Sequence, residues 1–135
     1  MDIVLYSRPQ SSYTAEDVAA LFDALDRSGM GWRVNKDFAS LAESLAGRSF
    51  APDELYDDAS QIDDRAQVMV SYGGDGTFLD CVRMLGGRPV PIIGINSGRL
   101  GFLANVSKRH LETAFRDWRE GNYSVVSRTL IRAEG

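Results

Sequence analysis

The sequence has few of the residues that mark disulfide frameworks and metal centres, and it has no long apolar run. Its 135 residues include one cysteine, Cys81, and one histidine, His110. A single cysteine excludes an intrachain disulfide, and we expect Cys81 to be a buried, small apolar residue. His110 has no cysteine or carboxylate partner at metal-ligand spacing, so we expect it on an exposed helix surface. No apolar run approaches the roughly 20 residues that a membrane-spanning helix needs, which argues against a membrane protein.

Positive charge is not in excess either. The chain has 15 Lys and Arg residues against 19 Asp and Glu residues, which gives a net charge of −4. This balance argues against broad binding to nucleic acid or to an anionic membrane. The first six residues carry one acidic and no basic side chain, and their apolar part is too short for a secretory signal, so we expect a cytoplasmic protein.

Apolar patterns typical of strands alternate along the chain with patterns typical of helices. We expect strands at residues 3–6, 32–34, 68–72 and 92–95, and helices around residues 18–25, 41–45, 78–85 and 111–118. The strands at 68–72 and 92–95 are continuously apolar, as in parallel sheets buried on both faces, whereas the strand at 32–34 is expected to be partly exposed. The alternation predicts an α/β fold, a Rossmann-like and mostly parallel sheet flanked by helices.

An acidic segment between Pro52 and Asp64 invites a metal-site interpretation. Its spacing does not match a calcium-binding loop, because the glycine at the sharp turn of such a loop is missing. We therefore expect a solvated and mobile surface segment. Its carboxylates belong to Asp53, Glu54, Asp57, Asp58, Asp63 and Asp64.

The most informative segment is the string GGDGT at residues 73–77. It follows an apolar strand and precedes a helical pattern, which predicts a glycine turn from a strand into a helix N-terminus. The backbone N–H groups and the positive dipole end at such a turn favour phosphate. Asp75 would repel that phosphate unless a metal ion lies between them or the carboxylate accepts a proton from an attacking hydroxyl. Phosphoryl transfer is therefore the first hypothesis, and a purely structural turn is the alternative.

A second glycine segment, GINSGRLGFL at residues 94–103, follows the fourth predicted strand. Its Asn, Ser and Gly residues favour a tight reversal that would bring Phe102 beside the first glycine loop. There the aromatic ring could cover a base or a ribose, although Phe102 could equally be a core residue. We expect the loops at 7–12, 73–77 and 96–101 at the carboxyl edge of the sheet, where ligands of such folds bind.

Together the two glycine segments resemble the NAD kinase family. That family has a GGDGT block and, further along the chain, a GINxGxLGFL block, and both match here without substitution. The GGDGT block alone is shared with diacylglycerol and sphingosine kinases and, more loosely, with phosphofructokinases, so the second block separates the families. A lipid kinase of the diacylglycerol type and a non-catalytic nucleotide-binding module are the alternative functions.

The resemblance implies a phosphotransferase with an alcohol group as acceptor. The terminal phosphoryl group of ATP, or of polyphosphate in some members, would pass to the adenosine 2′-hydroxyl of NAD to give NADP. Asp75 would be the catalytic base that accepts the hydroxyl proton. The donor phosphates would be lined by Gly73, Gly74, Gly76 and Thr77, NAD would be contacted by Asp75, Gly76 and Phe102, and a weaker site candidate is Asn96.

The family also implies Mg²⁺ or another divalent cation that arrives with ATP, with no metal site built by the protein itself, and a homo-oligomer, either a dimer or a tetramer. The cation would screen the phosphates from Asp75. One position departs from many relatives, since Asp80 stands where they have a basic side chain that contacts the nucleotide. An acid cannot make that contact, so Asp80 is not predicted as a site residue.

The resemblance covers the N-terminal domain of the family, residues 1–122. Residues 123–135 look like the start of a truncated, β-rich C-terminal domain, and the Asn-Asn-Glu block of that domain is not in the sequence. We expect residues beyond about 122 to be disordered or used in a dimer contact, because a strand without its sheet is an open edge. We also expect this chain alone to have little kinase activity, because half of the NAD-binding wall would be missing.

Overall fold

Six parallel strands form one sheet in the computed structural model, which describes residues 2–9, 13–62, 66–96 and 106–107. The strand order is β3-β2-β1-β4-β5-β6. Helices lie on both faces, so the predicted α/β, Rossmann-like fold is confirmed. The strands are β1 (Asp2–Tyr6), β2 (Gly31–Asn35), β3 (Leu55–Tyr56), β4 (Ala66–Gly73), β5 (Ile92–Asn96) and β6 (Val106–Ser107), and the helices are α1 (Ala15–Arg27), α2 (Lys36–Ala46) and α3 (Asp75–Leu85).

Capping residues set two of the helix boundaries. The side chain of Thr14 accepts a hydrogen bond from the backbone N–H of Asp17 at 3.1 Å, which caps the N-terminus of α1. Helix α2 ends at Gly47, whose φ of +65° is the left-handed conformation that a glycine adopts without strain.

Apolar side chains alternate between the two faces of the sheet. Val68, Val70 and Tyr72 of β4 pack on the face that α1 and α2 cover, while Met69 packs on the face of α3 together with Cys81. The continuous apolar pattern of this strand is thereby explained, because both faces are buried. Cys81 is fully buried, as predicted.

Helix α3 buries a narrower stripe than its sequence predicts. Phe78, Cys81 and Leu85 are buried at helical spacing, whereas Leu79 is 40% exposed. Leu79 follows Phe78 directly and is therefore rotated by about 100° from the buried face. Apolar residues within the predicted helix at 78–85 therefore do not all belong to the core that the described residues form.

The predicted partial exposure of the strand at 32–34 is wrong. Trp32 and Arg33 are each only 9% exposed, and Val34 is fully buried. Trp32 packs against the rings of Phe22 and Phe50. In the acidic segment, Leu55–Tyr56 forms a short strand that covers the outer edge of β2 at Val34 and Asn35. Tyr56 is 2% exposed and its hydroxyl donates to the backbone carbonyl of Leu5 at 2.9 Å.

The carboxylates around that short strand remain on the surface. Asp53, Asp57 and Asp58 are exposed, as predicted, whereas Glu54 is only partly exposed and accepts a hydrogen bond from the N–H of Ala51 at 2.9 Å. Asp63 and Asp64 lie outside the described residues. Within residues 2–9, 13–62, 66–96 and 106–107 no three His, Cys, Asp or Glu side chains group into a metal-binding cluster.

Several other predictions fall outside the described residues. They concern His110, the helix at 111–118, the loop positions 97–101, Phe102 and the strand expected beyond residue 122. In the part of the chain that is described, none of the helices has the length and apolarity to cross a membrane.

Candidate active site

The strand order creates a switch point between β1 and β4. The chain proceeds from β1 to β2 on one side and from β4 to β5 on the other, so the connections diverge and leave a crevice at the carboxyl ends of these two strands. The segments that follow β1, β4 and β5 therefore begin at one edge of the sheet. Asn96, the last residue of β5, pairs with Gly73 at the end of β4.

Gly73 forms the turn that leads from β4 into α3. Its φ is +156°, and a Cβ atom at this position would lie 2.6 Å from Oγ1 of Thr77. Thr77 is 2% exposed and packs directly beneath this turn. The fold itself thus requires glycine at position 73.

Gly74 differs from its neighbour, because the fold does not require a glycine there. It is exposed, its φ of −113° and ψ of −163° are extended, and a Cβ atom would have no contact within 4 Å. Gly74 is the N-cap of α3, and its carbonyl accepts from the N–H of Phe78 at 3.1 Å. The bare backbone here lies where the helix dipole is positive.

Asp75 and Gly76 are the first two residues of α3. Gly76 is exposed and Asp75 is partly exposed, so both are accessible to solvent at the start of α3. The carboxylate is thus held at the N-terminus of a helix, next to backbone that can approach a phosphate closely.

A buried hydrogen-bond network, here called the β1–β4 clamp, fixes the strand that leads into the glycine turn. It consists of Ser7, Tyr13, Asn35 and the carbonyl of Tyr72. The hydroxyls of Ser7 and Tyr13 both donate to that carbonyl, at 2.6 and 3.2 Å, and lie 3.0 Å from each other. The side-chain amide of Asn35 pairs with the backbone of Ser7, with distances of 3.1 Å from Ser7 N to Oδ1 and 2.8 Å from Nδ2 to Ser7 O. The clamp joins β1, β2 and β4 immediately before Gly73.

A charged group, here called the Arg8 cluster, lies on the other side of the turn and consists of Tyr6, Arg8, Asp80 and Arg83. Nε and Nη2 of Arg8 donate to the two carboxylate oxygens of Asp80 at 2.6 and 3.0 Å. The Tyr6 hydroxyl donates to the same carboxylate at 3.1 Å, and Arg83 does so at 3.2 Å. The hydrogen bond from Arg8 holds the pKa of Asp80 below its ordinary value, with smaller lowering contributions from Tyr6 and Arg83. Burial and the Asp80 carboxylate raise the pKa of Tyr6.

Five of the predicted site residues are contiguous at this edge, and Asn96 joins them through its backbone. Thr77 is buried under the turn. The predicted contacts of these residues with the donor phosphates and with NAD stay predictions, as does the role of Asn96. Sequence reasoning did not identify the β1–β4 clamp or the Arg8 cluster. The available signal was the run of polar residues directly after the apolar strand β1, at an edge where ligands bind.

Comparison with known proteins identifies the family. The family model described as the ATP-NAD kinase N-terminal domain matches residues 8–123. This chain belongs to the NAD kinase family. The match weighs against the diacylglycerol-type lipid kinases, which share only the first glycine block.

Individual NAD kinases are similar along nearly the whole chain. The NAD kinase of Bacteroides fragilis is 32% identical over 132 residues, which is 98% of this chain and 44% of that protein. The NAD kinase of Azoarcus is 34% identical over 132 residues, 98% of this chain and 43% of that protein. The chain therefore spans less than half the length of these relatives.

A solved structure supports the fold independently. The crystal structure of yeast NADH kinase complexed with NADH superposes with a TM-score of 0.71 and 21% sequence identity, covering 90% of this chain and 36% of that one. At this identity the likeness concerns the fold, which agrees with the α/β sheet described above.

Proposed function

We propose that this chain forms the N-terminal, base-bearing half of an NAD kinase that phosphorylates the adenosine 2′-hydroxyl of NAD with ATP or polyphosphate to give NADP. The observation that carries the proposal is the position of Asp75, a partly exposed carboxylate on the first residue of α3 at the switch-point crevice. Membership of the NAD kinase family supports it. The activity belongs to the whole protein.

In the proposed step, the 2′-oxygen of the ribose attacks the terminal phosphorus of the donor. A bond forms between that oxygen and phosphorus, while the bond from phosphorus to the bridging oxygen breaks and its electron pair leaves with ADP, or with the shortened polyphosphate. The carboxylate of Asp75 accepts the hydroxyl proton and later releases it to solvent. Asp75 also fixes the orientation of the hydroxyl, and positioning of this kind supplies much of the rate in phosphoryl transfer.

The glycine turn would hold the donor phosphates. Backbone N–H groups at the start of α3 point toward the crevice and carry the positive end of the helix dipole, which stabilises negative phosphate charge. Gly74 and Gly76 are exposed and have no Cβ, so phosphate oxygens can approach the backbone. Gly73 and Thr77 would complete the phosphate-binding segment, with Thr77 packed directly under the turn.

The donor set around the turn suits a divalent cation that arrives with the nucleotide. Asp75 is the carboxylate of the GGDGT segment, and one or two carboxylates together with phosphate oxygens are the usual ligands of Mg²⁺ at nucleotide sites. Such a cation supplies charge neutralisation on the transferring phosphoryl group. The cation would arrive with the phosphates and screen them from Asp75, whose carboxylate would keep its role toward the hydroxyl.

NAD would lie across the turn, in contact with Asp75, Gly76 and Phe102, with Asn96 contributing to the architecture. The remaining contacts would come from a second, β-rich domain and from other copies in a dimer or tetramer. Residues 123–135 would begin that second domain.

The proposal is tested with the full-length protein and a panel of acceptors. The protein is incubated with labelled ATP, or with polyphosphate, and with NAD, NADH or diacylglycerol. Formation of NADP from NAD is the expected result. Labelled phosphatidic acid in place of NADP would identify a lipid kinase, and binding of ATP without transfer to any of the three acceptors would identify a non-catalytic module.

A further inference from the structure

Arg8 places a cation on the first turn of α3, although it belongs to a different part of the chain. It follows β1, and its guanidinium lies over Gly76. A Cβ atom at position 76 would be 3.0 Å from Nη1 and 3.5 Å from Cζ of Arg8. Nη2 of Arg8 also approaches the carbonyl of Gly76 at 3.4 Å. A side chain at position 76 would press on the end of the Arg8 side chain, which would have to shift by a few tenths of an ångström.

The guanidinium is held in this place by a two-point contact. The two carboxylate oxygens of Asp80 accept hydrogen bonds from Nε and Nη2 of Arg8. The side chain of Asp80 is 19% exposed, whereas that of Arg8 is 46% exposed. Tyr6 donates to the same carboxylate and thereby restricts it further. An arginine fixed in this way loses less side-chain freedom when a ligand binds.

One edge of the guanidinium is left for a ligand. Among the described residues, Nη1 of Arg8 makes no hydrogen bond, and it is the nitrogen nearest to the Cβ position of Gly76. Arg8 and Arg83 share the single carboxylate of Asp80, so the cluster has one positive charge in excess.

We propose that Arg8 contacts a phosphate group of the nucleotide bound at residues 73–77 and that Asp80 is a positioning residue for it. This inference rests on the proposed function. Guanidinium N–H groups match phosphate oxygens in geometry and charge. The phosphate belongs either to the phosphoryl donor or to the diphosphate of NAD, and kinetics distinguish the two.

The first experiment measures the KM for ATP and for NAD in the full-length protein, its Arg8→Gln variant and its Arg83→Gln variant. Arg83 is the matched control, because it contacts the same carboxylate and its replacement changes the net charge by the same amount. It differs from Arg8 in that its side chain is 72% exposed and lies further along α3, away from Gly76. Arg8→Gln is expected to raise one of the two KM values about tenfold. Arg83→Gln is expected to change both by less than about twofold. The KM that rises identifies the phosphate.

The second experiment tests the positioning role of Asp80. Asp80→Asn is expected to raise the same KM as Arg8→Gln, and the double variant is expected to be no worse than Arg8→Gln alone. Independent, additive effects of the two substitutions on that KM would overturn the assignment of Asp80. Melting temperatures of all variants separate this coupling from loss of folding.

Calorimetric titration of the same proteins with ATP and with tripolyphosphate separates the inference from the proposed function. If the protein forms no NADP but binds ATP, and Arg8→Gln weakens that binding about tenfold, the phosphate contact stands and the NAD kinase proposal fails. If NADP forms and Arg8→Gln leaves both KM values and the titrations unchanged, the contact is refuted and the function stands. If neither phosphate compound binds and no NADP forms, both are refuted.

Discussion

Alanine substitutions at the two adjacent glycines of the turn separate what the fold needs from what a ligand needs. At Gly73 the φ of +156° and the 2.6 Å approach of a Cβ atom to Thr77 Oγ1 make alanine incompatible with the turn. At Gly74 the backbone is extended and a Cβ atom meets nothing within 4 Å. We therefore expect Gly73→Ala to unfold the protein more easily, and Gly74→Ala to leave its stability nearly intact while impairing phosphoryl transfer.

The magnitudes follow from the geometry. Gly73→Ala adds backbone strain and overpacks Thr77, for a combined loss of about 2–5 kcal/mol in the free energy of unfolding. In Gly74→Ala the lower entropy of the unfolded chain offsets the weaker N-cap, so the free energy of unfolding changes by no more than about 1 kcal/mol. A methyl group between the backbone and a phosphate would displace the donor and lower kcat/KM by about 100-fold.

The assay combines denaturant unfolding of each variant with NADP formation by the full-length protein. Gly47→Ala is the control for a loss of stability alone. Gly47 lies at the C-terminal end of α2, where its φ of +65° is strained for alanine, and no atom lies within 4 Å of its Cβ position. It should unfold more easily yet retain its kcat/KM. If Gly74→Ala is as destabilised as Gly73→Ala, or if it is stable and fully active, the assignment of a ligand-facing glycine at 74 is refuted.

Three further predictions concern the surroundings of the turn. Ser7→Ala should lower the free energy of unfolding, measured by urea titration, by about 1–2 kcal/mol, because it removes a fully buried hydroxyl from the β1–β4 clamp. The loss is limited because Tyr13 still donates to the Tyr72 carbonyl. An unchanged urea midpoint would show that the clamp does not stabilise the fold. Burial raises the pKa of the Cys81 thiol to about 12. The native protein should therefore not react with a thiol reagent at pH 8, whereas the protein unfolded in denaturant should bind one equivalent of it. Rapid labelling of the native protein would contradict the burial of Cys81. The pKa of Asp80 is lowered in the folded state, so its carboxylate stabilises the fold at pH values above its ordinary pKa of 3.8, and this contribution is lost as the pH falls through the lower folded-state pKa. In a plot of the free energy of unfolding against pH, Asp80→Asn should therefore give a shallower slope below pH 3.8 than the parent. An unchanged slope would contradict the ion pair.

The fold could be predicted largely because local patterns carry it. The apolar runs at 68–72 and 92–95 indicate strands buried on both faces, and Thr14 and Gly47 mark helix ends by their own backbone chemistry. The short strand Leu55–Tyr56 could not be predicted in this way. This strand is only two residues long and is set among carboxylates. It exists because the outer edge of β2 pairs with it, and that pairing joins residues far apart in the sequence.

The candidate site likewise contains residues that local sequence identifies and residues that only long-range strand pairing brings together. The glycines and Asp75 are contiguous, so their sequence and the family resemblance suffice to find them. Arg8 meets Asp80 and Gly76 only through the parallel pairing of β1 with β4, and a separation of 72 residues hides that contact from any sequence pattern. From the sequence Asp80 is merely an acid in an unfavourable place, whereas in the fold it holds a cation beside the turn.

The most direct test of the central claim compares the full-length protein with its Asp75→Asn variant. Asparagine keeps the size and the hydrogen-bonding shape of the side chain but cannot accept the proton of the ribose hydroxyl. We expect the variant to bind ATP and NAD within about threefold of the parent, since the phosphate cradle is backbone, and to form NADP at least about 100-fold more slowly. A variant that turns over at the parental rate would show that Asp75 is not the base, and the proposed mechanism would be wrong.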